Sequence, residues 1–404
     1  MKNTKNKALA LALGLGLGIV VANADESNAD SNAVAEHFKK NYSYNAQVGA
    51  QYTQGYYDSA SGANGKNNFQ SLYAYLGFEG VEFERLRFGL NLMGSVKLGK
   101  SNAIYAQDIA NANAMLYQAY LGYTSKYFDI SGGREEVDLE WLSDYIEGAR
   151  FVAKIPQGAT EIKGYWFYRQ GDVAYNEISQ FEDGRVGHTF AVGIENNAWQ
   201  PLAIEAYFMN ISSASNIPSF NGAWVGANLN FGSDDFILSN TSIKYAYFHS
   251  KVADFVDTQF LQVEEDLTFN VADSHNLGLK VGISKVFNPK NGNALEFNAI
   301  GDNNPFEQGD QLYLSNALTA YAGLSYNFVD YLEIAFLYGN TNGAQNGATK
   351  PINEINLGAT GYYKGFELGF IYSKLLGNDN FNGNDSHNTK LNQDYFEAYL
   401  AYNF

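Results

Sequence analysis

Cysteine is absent from this 404-residue chain, and beyond its first two dozen residues no apolar run is long enough to cross a bilayer as a helix. Without cysteine there are no disulfides and no thiolate metal sites. Without a run of roughly 20 apolar residues, helical membrane spanning is excluded. A legible catalytic constellation is missing too. The five histidines, His37, His188, His249, His275 and His387, are scattered, and no Ser/His/Asp arrangement surrounds them. Lipid hydrolysis, a known activity of some membrane barrels, is left without a visible catalytic group, so a non-enzyme is expected, needing neither cofactor nor metal.

What is present starts with an export signal. Met1 and the lysines Lys2, Lys5 and Lys7 precede an apolar stretch over residues 8–21 and the small-residue site Ala22-Asn23-Ala24. This order of a basic head, a short apolar core and small residues is that of a secretory signal peptide over residues 1–24. Read as an anchoring helix, the stretch is too short. Aromatics reach 15%, with 30 Tyr and 28 Phe, beside 40 Gly and only 6 Pro. Average hydropathy nevertheless stays slightly polar. A soluble protein with that aromatic load would have an apolar average, whereas a wall with lipid on one side and water on the other need not.

Period-two alternation dominates the chain. Tyr44, Ala46, Val48, Ala50 and Tyr52 alternate with Asn45, Gln47, Gly49, Gln51 and Thr53. Leu86, Phe88, Leu90 and Leu92 oppose Arg85, Arg87, Gly89 and Asn91, and Leu277, Leu279, Val281 and Ile283 oppose Asn276, Gly278, Lys280 and Gly282. At the end, Phe396, Ala398, Leu400, Tyr402 and Phe404 alternate with Glu397, Tyr399, Ala401 and Asn403. Aromatics gather at the ends of the apolar faces, as at Trp166 and Tyr168 or Tyr326 and Phe328, where two headgroup levels would hold them. A soluble sandwich would also use such strand formers, but the export signal and terminal aromatic strand argue against it.

The expected fold is all-β: a closed antiparallel transmembrane β-barrel over residues 43–404 with about eighteen strands, sixteen being the competing count. Short turns are expected near Gly80, Ser125, Gln157, Asn197, Ser233, Lys290, Val329 and Lys364. Longer polar connections are expected at 54–69, 99–113, 135–146, 170–187, 251–272, 301–312 and 375–393. Residues 25–42 form a short N-terminal segment with one helix over 33–40, either trailing outside the barrel or plugging it. Glu264-Glu265-Asp266 reads as solvated loop charge or as a divalent-ion site.

Strand parity assigns charges to faces, because a charge on a barrel strand belongs in the water-filled lumen. Arg85, Arg87, Lys97, Arg150, Lys154, Lys163 and Arg169 are expected to point inward from the third, sixth and seventh strands. Glu296, Glu333, Glu367 and Glu397 are expected to point inward from the thirteenth, fifteenth, seventeenth and last. Opposed walls of unlike charge would set a transverse field across the pore; alternatively, the charges only keep water in the lumen and pair with one another. The connection carrying Glu135, Glu136, Asp138, Glu140, Trp141, Asp144 and Tyr145 would fold inward, its acids facing Arg150, Lys154, Lys163 and Arg169 across a constriction. Parity sends Arg134 toward lipid unless a bulge at Gly132-Gly133 shifts the register.

The run Ser131-Gly132-Gly133-Arg134-Glu135-Glu136, followed by Trp141-Leu142-Ser143-Asp144-Tyr145 and Gly148, resembles the Gly-Arg…Trp-x-Ser-Asp…Gly stretch of OprD-type outer-membrane porins. It is most similar to divergent members in Campylobacter and Helicobacter relatives. The resemblance implies an eighteen-stranded porin in the bacterial outer membrane, with basic residues such as Arg85, Arg87, Arg150 and Arg169 guiding carboxylate-bearing solutes. The acidic balance, −17 overall, departs from that pattern and leaves cation preference equally open. The function expected is passive diffusion of small hydrophilic solutes; the alternative is a surface adhesin using the barrel as a platform for its loops. The partners implied are outer-membrane lipid, small polar solutes and, through Phe404, the barrel-assembly machinery. A homotrimer is among the assemblies open to it, and no nucleic acid is expected.

Overall fold

The computed structural model describes residues 42–58, 65–82, 85–98, 114–139, 142–171, 187–199, 201–212, 219–233, 236–251, 255–272, 274–287, 293–294, 305–307, 310–313, 316–342, 351–379 and 389–404. The expected export signal over residues 1–24, the segment with the expected helix over 33–40, and Glu140, Trp141 and Glu296 lie outside these residues. Eighteen strands form one sheet: β1 (Tyr42–Asp58), β2 (Gly65–Glu82), β3 (Leu86–Lys97), β4 (Ala114–Thr124), β5 (Phe128–Leu139), β6 (Leu142–Ile155), β7 (Thr160–Gly171), β8 (Thr189–Trp199) and β9 (Leu202–Ile211). They continue as β10 (Phe220–Ser233), β11 (Ile237–Ser250), β12 (Thr258–Ala272), β13 (His275–Phe287), β14 (Leu318–Phe328), β15 (Leu332–Asn342), β16 (Ile352–Tyr363), β17 (Phe366–Asp379) and β18 (Thr389–Asn403). Each pairs antiparallel with its neighbours in sequence, and β18 pairs with β1 from Gln47↔Asn403 to Asp58↔Asn392, so the sheet closes without an edge. Eighteen strands about 4.8 Å apart and tilted about 40° close at roughly 35 Å across.

Both chain directions meet at one rim, where the turns are short. The Phe404 N–H donates to the Ala46 carbonyl at 3.0 Å there. Lys364-Gly365 makes a two-residue turn with φ of 48° and 82°, the left-handed pair that suits hairpin twist. Ser125 closes another by accepting the N–H groups of Tyr127 and Phe128 at its hydroxyl.

Alternation separates two surfaces. Outward side chains are apolar and open, with Leu121 64%, Leu324 62% and Phe190 56% exposed, while inward Phe167 and Phe248 are fully buried. A lumen this wide cannot be filled by wall side chains alone. On one side, inward Phe167, Tyr207, Trp224, Phe248 and Phe260 pack with Val137 and Leu139 of the β5–β6 hairpin and with Leu312 and Tyr313 of a short 3-10 turn (Asp310–Tyr313) into a single apolar core.

Three expected connections are corrected. Residues 135–146 are not a long loop: β5 and β6 run on as a ladder to Leu139↔Leu142, because Val137, Leu139 and Ile146 all find the inner core. Residues 251–272 are mostly strand β12 rather than a connection. Its acids disguise the alternation, since Glu264 and Asp266 face inward while Glu265 shares the outward face with Leu261 and Val263. Opposite faces cannot share a cation, so the divalent-ion reading of the three acids falls. β12 ends at Ala272 and the next strand, β13, runs from His275 to Phe287, so the short connection falls just before His275 and not near Lys290.

Candidate functional site

The lumen wall is built around tyrosines laid flat over glycines. Five inward glycines stand directly across the ladder from inward tyrosines: Gly49↔Tyr73, Gly89↔Tyr120, Gly193↔Tyr207, Gly282↔Tyr321 and Gly369↔Tyr399. A Cβ on Gly49 would fall 2.3 Å from Tyr73 Cζ, and one on Gly193 2.0 Å from Tyr207 Cδ1. The missing side chain lets each ring lie along the wall instead of projecting into the lumen. Gly49→Ala is therefore expected to push the Tyr73 ring off the wall and lower single-channel conductance without loss of folded barrel; an unchanged conductance would show that Tyr73 lies outside the conducting path.

Three of these tyrosine hydroxyls end on carboxylates. Tyr207 donates to Glu195, Tyr321 to Glu264 at 2.6 Å, and Tyr399 to Glu367 at 2.8 Å. Partners then change around the ring. On β3–β13 the acids meet bases: Arg87 donates from Nε to Asp129 at 3.1 Å, with Arg150 Nη1 3.7 Å from the same carboxylate. Lys163 pairs with Glu195, and Lys280 with Glu264 at 2.9 Å and Asp266 at 3.0 Å. On β15–β18 the acids meet hydroxyls, as Glu367 does with Tyr399, Glu354 with Ser373 at 3.1 Å, and Glu397 with Tyr395. None of the described inward positions on β14–β18, β1 or β2 is a lysine or arginine.

Most expected pore-lining residues face the lumen. Arg87, Lys97, Arg150, Lys154 and Lys163 do so on β3, β6 and β7, and Glu333, Glu367 and Glu397 do so on β15, β17 and β18. Arg85 instead sits exposed on the short turn before β3, its Nη1 donating to the Tyr123 hydroxyl at 3.0 Å. Arg169 does not line the pore. The β6–β7 register slips between Glu147 and Gly148, so that Glu147 pairs Arg169 while Gly148 pairs Phe167, leaving Tyr168 as the extra residue. That bulge turns Arg169 outward. Gly148 permits it, since a Cβ there would fall 2.0 Å from the Trp166 carbonyl oxygen. The bulge considered at Gly132-Gly133 does not form; the register runs unbroken through Ala119↔Arg134, and Arg134 faces outward as parity alone predicts.

Of the expected constriction residues, Glu135 is buried on the inner wall, accepting the Ser131 hydroxyl at both oxygens and lying 3.7 Å from Arg87. Its ion pair is with Arg87. Glu136 is exposed on the outer face, and Asp138 and Asp144 lie on the β5–β6 ladder. Tyr145 packs edge-on against Tyr117 with centroids 5.0 Å apart. Sequence reasoning passed over Asp129, although its alternation with Phe128 and Ile130 placed it inward. It also read Glu264 and Asp266 as loop.

A lipid-facing outside, a polar inner wall and eighteen strands limit the known proteins to compare. Residues 24–313 match the model of a family described as "Putative outer membrane protein". The chain belongs to this family. This outer-membrane protein is also similar in fold to solved porins of the OprD/Occ group. The crystal structure of Acinetobacter baumannii OccAB4 is 14% identical, with a TM-score of 0.66, covering 89% of this chain and 98% of that one. Pseudomonas aeruginosa OpdQ is 12% identical with a TM-score of 0.68, covering 91% and 98%. A BenF-like porin from Pseudomonas fluorescens Pf-5 is 12% identical with a TM-score of 0.67, covering 90% and 98%. No curated protein matches the chain in sequence. At such identities the likeness establishes the closed eighteen-stranded fold, and the family establishes the outer membrane as its location. The short turns of this outer-membrane barrel then mark the periplasmic rim and the long connections the extracellular one.

Proposed function

We propose that this outer-membrane barrel is a porin for small hydrophilic solutes and that its lumen prefers cations. The observation that carries the preference is the seven-strand arc β14–β18, β1 and β2, which has no inward base among its described positions while Glu79, Glu333 and Glu367 lie along it. A guanidinium or ammonium cancels a carboxylate's charge, as Arg87 does for Asp129. A tyrosine hydroxyl only solvates the carboxylate and leaves its charge to act on the pore. The transverse field expected from opposed walls is thereby weakened on its basic side, where Arg87 is paired with Asp129 and Lys163 with Glu195. The likeness to divergent Campylobacter and Helicobacter porins, targeting through Phe404 and a homotrimeric assembly belong to the same proposal.

Planar-bilayer recording tests it. Refolded protein under a KCl gradient is expected to give open channels with a reversal potential on the cation side, and Glu333→Gln with Glu367→Gln is expected to move it toward zero. Absence of current would leave the barrel as a platform for its extracellular connections. An anion-side reversal potential would sink the charge assignment.

A further inference from the structure

The inner wall of β16 carries an amide that the ladder leaves without a partner. Asn356 faces inward and is 7% exposed, yet among the described residues nothing hydrogen-bonds its Oδ1 or its Nδ2. Register explains this. Asn356 stands between Leu337 of β15, whose side chain has no polar atom, and Ser373 of β17, whose hydroxyl donates to Glu354 at 3.1 Å. Enclosing a donor and an acceptor without partners costs stability, and a leucine of similar shape would avoid that cost. An amide kept in this state calls for an occupant of the space in front of it.

That space exists. Asn356 lines a recess of about 400 Å³, within the size range of small-molecule sites. Asp266, Lys280, Gly323, Leu337 and Asn356 form one rung of its wall, continuous in register from β12 to β16. The next rung, Gly278, Ser325, Ala335 and Gly358, consists of small side chains, so the wall is hollow there. Pro305 and Glu307 close one side of the recess. Phe306 between them is pinned to the wall: a Cβ on Gly339 would fall 2.2 Å from its ring, which also meets Tyr321 edge-on with centroids 5.8 Å apart. Lys280 lies near the middle of β13, so the recess opens about half-way along the channel.

Its two ends differ in chemistry. Asn356 offers an acceptor and a donor side by side, the complement of a second amide, which presents an N–H and a carbonyl in the same way. At the other end Lys280 is held by Glu264 at 2.9 Å and Asp266 at 3.0 Å, giving fixed polar groups for a hydroxyl or a charged terminus. We propose that this recess is a binding site for a small hydrophilic solute carrying an amide, which Asn356 holds through two hydrogen bonds. The proposal rests on reading the lumen as a solute path and adds a preferred solute chemistry to it.

Ligand-observed NMR titration of the refolded barrel in detergent reads binding without conduction. N-acetylglucosamine is compared with glucose, and glycylglycine with 5-aminopentanoate, which spaces its termini alike and has no amide. At least one amide probe is expected to bind roughly tenfold or more tightly than its counterpart, and the pair in which it does so distinguishes an acetamido sugar from a peptide. Asn356→Leu is expected to abolish that preference while raising the temperature at which the barrel unfolds, a combination that a merely structural side chain would not give. Gly358→Val should weaken binding of the preferred probe by filling the recess. A Cβ there meets only the Phe370 carbonyl oxygen, at 3.9 Å, so this variant keeps the fold. Neither amide probe outbinding its counterpart would overturn the proposal, as would a preference that survives Asn356→Leu. Amide-selective binding by a barrel that opens no channels in a bilayer would overturn the porin reading alone and leave the site standing.

Discussion

Asp129→Asn is expected to be the most damaging conservative change in the lumen, costing about 3 kcal/mol of barrel stability and moving the reversal potential toward anions. Asp129 is 9% exposed, with Arg87 Nη2 2.9 Å and Arg150 Nη1 3.7 Å away. The amide keeps the shape and removes the charge, so two guanidiniums face each other with Glu135 as the remaining nearby acid, 3.7 Å from Arg87. Breaking an enclosed pair costs more than the pair contributes, since the surviving ion is left without its counter-charge. Stability is read from the temperature at which the folded band disappears on a heat-modifiability gel, and selectivity from the same preparation in a bilayer. Adding Arg87→Gln should restore much of both, as coupled neighbours do. If Asp129→Asn matched wild type in both assays, the arginines would not be held by this carboxylate, and the self-neutralised sector would have to be abandoned.

Trp224→Ala is expected to widen the conducting path while costing about 3–5 kcal/mol. Trp224 is 4% exposed and stacks on Tyr207 at 4.8 Å and 18°, within the core that joins the wall to the β5–β6 hairpin and to Leu312 and Tyr313. Removing the indole leaves Tyr207 without its stacking partner and the hairpin with less to pack on. Water would enter the apolar half of the lumen, so single-channel conductance should rise and become noisier as the Gly49→Ala substitution makes it fall. A destabilised barrel with unaltered conductance would mean that the core lies off the conducting path and serves the fold alone.

Much of this architecture was legible residue by residue. Period-two alternation located the strands wherever one face was purely apolar, as on β3, β13 and β18, because a side chain's face on a strand depends only on parity. It failed on β12, where Glu265 interrupts the apolar face between Val263 and Leu267. There Ser239 and Thr241 on β11 hydrogen-bond its carboxylate, a contact that becomes visible only when the strands are paired. Parity failed again at Arg169, because a one-residue bulge reverses every face beyond it and its location depends on whether Gly148 lies opposite another backbone. Of the wall charges, parity gave the faces of Arg87, Arg150, Glu333 and Glu367 but not their partners.

By itself, then, the sequence pointed to the outer membrane and determined the closed all-β class, a strand count near eighteen and the inward or outward direction of most side chains, since strand periodicity is a local property. Only the tertiary structure decided which inward carboxylates are cancelled by bases and which are merely solvated by tyrosine, that the tyrosines lie over glycines, and that a bulge moves one arginine from the pore to the lipid boundary. These depend on register between strands that are distant in the chain or separated by long connections, and register is set by how the whole ring closes.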